Sequence, residues 1–439
     1  MATPSQLNPT PSSTIDPLER VTSQLPVPSQ GSNEIQMRYK LASTTFKTLC
    51  TIGKSPTRSD ILKKACFAAE FRSFPIKQSE KAFLREVNDH SAIPYPITGN
   101  LNLPWHKAFL VIQVDLLRTQ WPNKLSATAR KELHQELGRM HKLLDRVLRC
   151  LVDILGERQD GKGVNTALDV LRSVKAGVWE DSEKQLLQVD GVGLVKMNRL
   201  VEAGVKNIRQ LSRLEFYHIE RLLSRNPPFG QKMLHELAGF PMLTLNFEML
   251  GQYRSPPHPG SSAANKDGLL MAEAVPSLPV PTWIVRVVLG FENEQIPSWK
   301  KLSPWATLVV EGHDGRLVWF WRGSVKRLEG DKEMVIGLSA TKGEVLKIVF
   351  ACEEIVGTTI QKSVQVARRS EQTAHEQVLA GVLAAINTPT QAPGQYRCDS
   401  IQPRQAHSAV ARLARQIWTV GAGLIPIRSD QTDRPRSLW

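Results

Sequence analysis

Two glycines one residue apart, Gly191 and Gly193, separate Leu186-Leu187-Gln188-Val189-Asp190 from Leu194-Val195-Lys196-Met197-Asn198-Arg199-Leu200. Short apolar-periodic segments on either side of Gly-Val-Gly read as a helix-hairpin-helix, and the chemistry open to such a turn is anion binding. Glycine accepts the backbone angles that bring successive N–H groups together, and the start of the second helix adds partial positive charge. The natural anion is a nucleic-acid phosphate, gripped without reading bases. Lys196 and Arg199 on the second helix favour that role. Asp190, a carboxylate just before the turn, opposes it and keeps a purely structural hairpin as the alternative. A Rossmann loop does not fit, because no strand-like run precedes Gly191 and Lys196 stands where the third glycine of G-x-G-x-x-G belongs.

A second set of cations, Arg139, Lys142, Arg146 and Arg149, recurs at steps of three, four and three. At about 100° per residue they stand in one column on a helix, a geometry that can track a phosphate backbone. The competing reading is an ordinary solvated face, with Asp145 and Asp153 close by.

Motifs for covalent chemistry are missing from the chain. The nearest approach to a phosphate-binding P-loop is Gly53-Lys54-Ser55, but Thr48 occupies the first glycine's place. There is no D-E-x-H run, no G-x-S-x-G nucleophile elbow and no H-E-x-x-H zinc pair. His134 and His141 lie seven apart without a third ligand, and read as a surface pair. Cys50, Cys66, Cys150, Cys352 and Cys398 are scattered without a C-x-x-C pair, which suggests a reducing compartment and offers no zinc site. No catalytic residue, metal or cofactor is therefore expected.

The elements that must position these residues follow from composition and periodicity. With 439 residues, 41% of them hydrophobic, the chain can form several cored domains, and its formal net charge of +14 favours a polyanionic partner. Residues 1–33 are Ser-, Thr- and Pro-rich, lack a signal peptide and read as disordered. No apolar run is long enough to cross a bilayer, so no membrane role is expected. Residues 34–180 read as a helical bundle. Its longest helix, from about Ala127 to Leu155, carries the basic column and, on another face, the stripe Leu133, Leu137, Met140, Leu144, Val147, Leu151 and Ile154.

Residues 181–245 form the helix-hairpin-helix unit, and 246–281 read as a Pro/Ser-rich linker. From residue 282 the period changes to alternation, as in Trp283, Val285, Val287 and Leu289, and several such strands to residue 366 suggest an immunoglobulin-like β-sandwich. Trp319, Phe320 and Trp321 put aromatics on both strand faces, one for the core and the other for a protein partner or a neighbouring domain. The tail 367–439, with helix-like patches at 376–386 and 409–418, has no assigned fold and reads as largely disordered. The fold class is thus multidomain, α then β.

Several phrases in this order resemble a known family. They are Ala69-Glu70-Phe71-Arg72 with Glu80-Lys81, Trp179-Glu180-Asp181-Ser182, the Gly191-Val192-Gly193 hairpin, Arg225-Asn226-Pro227-Pro228-Phe229-Gly230, and Cys352-Glu353-Glu354-Ile355-Val356-Gly357-Thr358. Together they resemble the C-terminal accessory module, the Sec-sixty-three homology unit, of certain superfamily II helicases, above all the meiotic crossover-promoting DNA helicases. The resemblance implies that the helix bearing Arg139, Lys142, Arg146 and Arg149 is a ratchet helix contacting a single strand, and that the hairpin grips the same strand. It also implies single-stranded or branched DNA as partner, with RNA as the alternative, and a nuclear, meiotic setting beside an ATP-driven 3′-to-5′ motor.

The motor domains and winged helix of that family are not in this sequence, nor is its zinc cluster after the sandwich, Cys398 standing alone. The chain is therefore expected to bind rather than hydrolyse, either as a motor-less protein or as a fragment of a complete helicase gene product. Related spliceosomal RNA helicases carry a similar unit that docks proteins, which makes protein partners through the sandwich the second expectation. The translocon protein that lends the unit its name fits poorly, since His258-Pro259-Gly260 is not the His-Pro-Asp of a J domain.

Overall fold

The computed structural model describes residues 30–180, 183–253 and 281–366. The expectations for most of the N-terminal stretch, for the body of the linker and for the tail lie outside them. The first helix, α1 (Gln30–Tyr39), begins inside the stretch expected to be disordered, so the helical half starts earlier than composition suggested. The bundle continues through α2 (Ser43–Leu49), α3 (Arg58–Cys66), α4 (Lys81–His90), α5 (Pro104–Leu116), α6 (Ala127–Glu157) and α7 (Gly161–Ala176).

The central helix is α6. Ser126 caps it by accepting from the Ala129 amide at 3.2 Å, and its seven-residue apolar stripe is buried throughout. Asp160 caps α7 through the Gly163 amide at 2.8 Å, and Gly177 at φ +73° ends it. In the bundle core Lys107 is wholly buried between Glu80, at 2.7 Å, and Glu136, and also donates to the Pro75 carbonyl at 3.2 Å. A cation held by two carboxylates and a carbonyl is the kind of full pairing that burial of charge demands.

Next comes a 3₁₀ turn (Glu183–Gln188), then α8 (Leu194–Glu202), α9 (Ile208–Ser212), α10 (Phe216–Leu223) and α11 (Phe229–Ala238). Seven described strands follow: β1 (Leu243–Tyr253), β2 (Thr282–Phe291), β3 (Trp305–Glu311), β4 (Leu317–Ser324), β5 (Lys332–Ser339), β6 (Val345–Cys352) and β7 (Ile360–Gln365). They make two antiparallel sheets, ordered β1-β2-β5 and β4-β3-β6-β7. Val285, Val287 and Leu289 from the first and Leu308, Val310, Ile348 and Phe350 from the second enter one core.

The boundary placed at residue 246 is corrected here. Residues 243–253 pair with β2, Leu243 opposite Phe291 and Tyr253 opposite Thr282, so the expected linker begins as a strand. Leu243, Leu245, Phe247 and Met249 alternate at the strand period, a signal overshadowed by the Pro- and Ser-rich residues that follow.

Helical and sheet halves join by main-chain contact. Lys162 N donates to Gly315 O at 3.0 Å and Leu317 N to Gln159 O at 2.7 Å. A Cβ on Gly161 would stand 2.7 Å from Arg316 O, so the start of α7 needs glycine to approach the strand turn. The three successive aromatics of β4 are divided by this junction. Phe320 packs against the bundle, with Val309 and Leu317, while Trp319 and Trp321 pack into the core between the sheets.

Candidate nucleic-acid interface

The Gly191–Gly193 turn is exposed. Gly191 has φ +83°, and a Cβ on either glycine would meet nothing within 4 Å, so the turn faces open space. Val192 between them is buried, with Val189, Met197 and Leu200, and anchors the turn from below. Gly193 is the N-cap of α8 at φ −94° and ψ 177°, and no side chain caps the helix. The amides of the first turn of a helix have no intrahelical acceptor, so those of Gly193, Leu194, Val195 and Lys196 are left for an external one.

They border a hollow of about 440 Å³ lined by Gly191, Gly193, Lys196, Arg199, Leu223 and Arg225, among others. Lys196 lies 4.4 Å over the Phe229 ring and donates to the Gly191 carbonyl. Its ammonium is drawn below the ordinary lysine value, first by desolvation and then by the cationic neighbour Arg225. Arg199 is exposed and donates to the Leu223 carbonyl at 3.3 Å. Arg225 was not singled out in the sequence as a site residue. Its signal lay in the Arg-Asn-Pro-Pro-Phe-Gly phrase, which sets Phe229 under Lys196 and lets Gly230 close against the Phe216 carbonyl, where a Cβ would stand 2.1 Å away.

On α6, Arg139, Lys142 and Arg146 are exposed, Arg139 5.6 Å over the Phe74 ring. Arg149 is not a free member of the column, and its assignment to phosphate contact is corrected. Its guanidinium bonds Asp145 at 3.0 Å, Glu354 at 3.0 Å and also Glu353, whose side chain is fully buried. Helical rotation puts Arg149 on the basic face, but the sheet half covers that end of α6. Arg322 joins the same cluster, bonding Glu353 and, at 3.2 Å, Asp153, which also accepts from Arg38 at 3.0 Å and Tyr39 at 2.7 Å.

The Cys352–Thr358 phrase is the receiving end of this junction. Arg172 donates to Cys352 O at 2.6 Å, and Gln188 exchanges two hydrogen bonds with the Val356 main chain, at 3.0 and 3.1 Å. One strand end thus ties bundle, Gly-Val-Gly unit and sheets together. Within it the Glu353 carboxyl feels burial most, but Arg149 and Arg322 outweigh that and hold it down; Glu354 is pushed up by burial and by the charge of Glu353.

His134 stacks on Trp121 with ring centroids 4.3 Å apart, while His141 bonds Asp115 at 3.1 Å. His313, Asp314 and Glu344 come within metal-ligand range of one another, yet Arg316 already bonds both carboxylates, at 2.9 and 2.7 Å, and supplies the positive charge. Among the described residues no helix is long and apolar enough to cross a membrane.

Comparison with known proteins agrees with the arrangement. Residues 32–365 match the Sec63 Brl domain. The ATP-dependent DNA helicase MER3 of Saccharomyces cerevisiae is 25% identical over 222 residues, 48% of this chain and 18% of that protein. The human probable ATP-dependent DNA helicase HFM1 is 23% identical over 336 residues, 75% of this chain and 21% of that protein. The DExH-box ATP-dependent RNA helicase DExH14 of Arabidopsis thaliana is 21% identical over 218 residues, 49% of this chain and 10% of that protein. The chain spans about a fifth or less of the length of these relatives. With its helical half, its exposed Gly-x-Gly turn and its antiparallel sheets in that order, the chain belongs to the Sec63 Brl domain family, a module it shares with the MER3 and HFM1 helicases.

Proposed function

We propose that this chain is the nucleic-acid-gripping accessory module of a meiotic, nuclear DNA helicase system, holding single-stranded or branched DNA by its phosphates. In this reading the 3₁₀ turn, Gly191–Gly193 and α8 act as a helix-hairpin-helix, and the two sheets as an immunoglobulin-like sandwich that braces it. The observation that carries the proposal is the uncapped, outward-facing start of α8, whose amides share a hollow with Lys196, Arg199 and Arg225. Phosphate oxygens supply what those amides lack, and the cations neutralise the charge. Arg139, Lys142 and Arg146 extend the path along α6; Arg149 does not. The grip itself needs no nucleotide.

Fluorescence anisotropy with a labelled oligothymidylate, titrated against the full chain at several salt concentrations, tests this. Binding is expected at low ionic strength, with log affinity falling by about 0.7 per neutralised phosphate for each decade of salt. Gly193→Glu is the informative variant. Its backbone angles suit any residue and its Cβ meets nothing, so the fold survives, yet a carboxylate beside the amides should weaken binding about tenfold or more. Wild-type protein that ignores oligonucleotides at low salt, or a Gly193→Glu variant that binds as well, overturns the reading. An oligouridylate of equal length decides between DNA and RNA.

A further inference from the structure

A second pocket, of about 360 Å³, has walls from four separate segments. Arg118 comes from just beyond α5, His141 and Lys142 from α6, Lys175 from the end of α7 and Lys300 from the loop between β2 and β3. The pocket shares Lys142 with the basic face of α6. The Lys300 ammonium also lies within electrostatic range of Asp190, the residue before Gly191. Two acids also line it, and both are partnered: Asp115 by His141 at 3.1 Å, and Asp145 by Arg149 at 3.0 Å and more loosely by Lys175 at 3.6 Å. Four permanent cations against two lining carboxylates leave an excess of positive charge, offset in part by Asp190 at the Lys300 side.

Lys300 is held there against backbone preference. Trp299 and Leu302 exchange hydrogen bonds, each 3.0 Å, across a two-residue turn in which Lys300 has φ +49° and Lys301 φ +64°. Such a turn normally takes Asn and Gly, the residues that tolerate positive φ, so two lysines strain it. The ammonium lies 4.1 Å over the Trp299 ring, which holds it near the pocket. Desolvation and the cations Arg118 and Lys175 draw its pKa down, outweighing the opposing charge of Asp190, as expected where like charges converge.

We propose that this pocket is a further phosphate site, through which a strand held at the Gly191–Gly193 turn passes to the exposed cations of α6. The inference rests on the phosphate-gripping reading above and adds the sheet half, through Lys300, to the nucleic-acid surface. Lys175, Lys300 and the guanidinium N–H groups of Arg118 not used on the Gly177 carbonyl supply the donors. A phosphodiester and a free phosphate ion would meet the same donors, so the test separates them.

Lys175→Gln, Lys300→Gln and the double variant of the full chain should each melt as the wild type does. In oligothymidylate anisotropy the singles should weaken binding about threefold and the double about tenfold, with a salt dependence shallower by about 0.7 to 1. Lys300→Gly guards against a folding artefact: it relaxes the turn and so stabilises the protein, yet affinity should still fall. A double variant with wild-type affinity and salt dependence, alongside a weakened Gly193→Glu, overturns the pocket and leaves the hairpin reading intact. Loss of a thermal shift induced by inorganic phosphate, with oligonucleotide binding unchanged, also overturns it, by assigning the pocket to the free ion. No binding by any form sinks both readings together.

Discussion

Arg146 and Arg149 lie three residues apart on one helix, and replacing each by Gln should give opposite phenotypes. Arg149 is bonded to Asp145, Glu353 and Glu354, and the Glu353 side chain is fully buried. Breaking a buried ion pair from one side leaves an uncompensated charge and costs about 3–5 kcal/mol. Arg322 still bonds Glu353 in the variant, which favours the lower end, about 3 kcal/mol. At about 2–4 °C per kcal/mol for units of this size, Arg149→Gln should lower the melting temperature by about 6–12 °C.

Arg146 is exposed, so Arg146→Gln should cost less than about 0.5 kcal/mol while weakening DNA binding a few-fold with a shallower salt dependence. The pH dependence gives an internal check. Glu354 is already pushed up by burial and by Glu353, and losing Arg149 raises it further. A raised carboxyl pKa destabilises where the group must ionise, so the Arg149→Gln penalty should be largest above that pKa and shrink as pH falls and Glu354 takes a proton. Calorimetry across pH, with anisotropy at a temperature where both variants are folded, measures all of this. An Arg149→Gln protein that melts within about 2 °C of wild type yet loses DNA affinity as Arg146→Gln does would refute the assignment, because Arg149 would then face the strand.

Two further outcomes follow from buried charge. Burial pushes the Glu344 carboxyl up, but hydrogen bonds from Arg316, the Thr341 amide and His313 outweigh it and hold it at about 2, against an ordinary value of 4.5. Its folded pKa is depressed, so its stabilisation is complete above 4.5 and lost as pH falls toward 2; Glu344→Gln should flatten the urea-midpoint profile in that window. Lys107→Met should destabilise the bundle by about 3–5 kcal/mol, because Glu80 loses its only side-chain cation among the described contacts, whereas Glu136 keeps Lys77 at 3.1 Å. Urea unfolding followed by far-UV circular dichroism measures this loss.

What could be read from the sequence was local. The α6 stripe and the alternation of Trp283, Val285, Val287 and Leu289 are set by backbone period, which acts over a few neighbours. The Gly191–Gly193 turn was legible for the same reason, since its geometry needs only its own residues. The partners of those faces were not legible. Rotation around α6 put Arg149 beside Arg146, with Asp145 one turn before it, but the two other acids that bond it stand 204 and 205 residues further on, in a strand end whose approach depends on the whole sheet. Likewise β1 pairs across a Pro- and Ser-rich stretch that hid it, and Lys300, from a loop between two strands, lines a pocket with residues of α6 more than 150 positions earlier. Periodicity assigns a side chain to a face of its own element. Whether that face meets solvent or a buried carboxylate is a property of packing, and packing joins residues that no local rule connects.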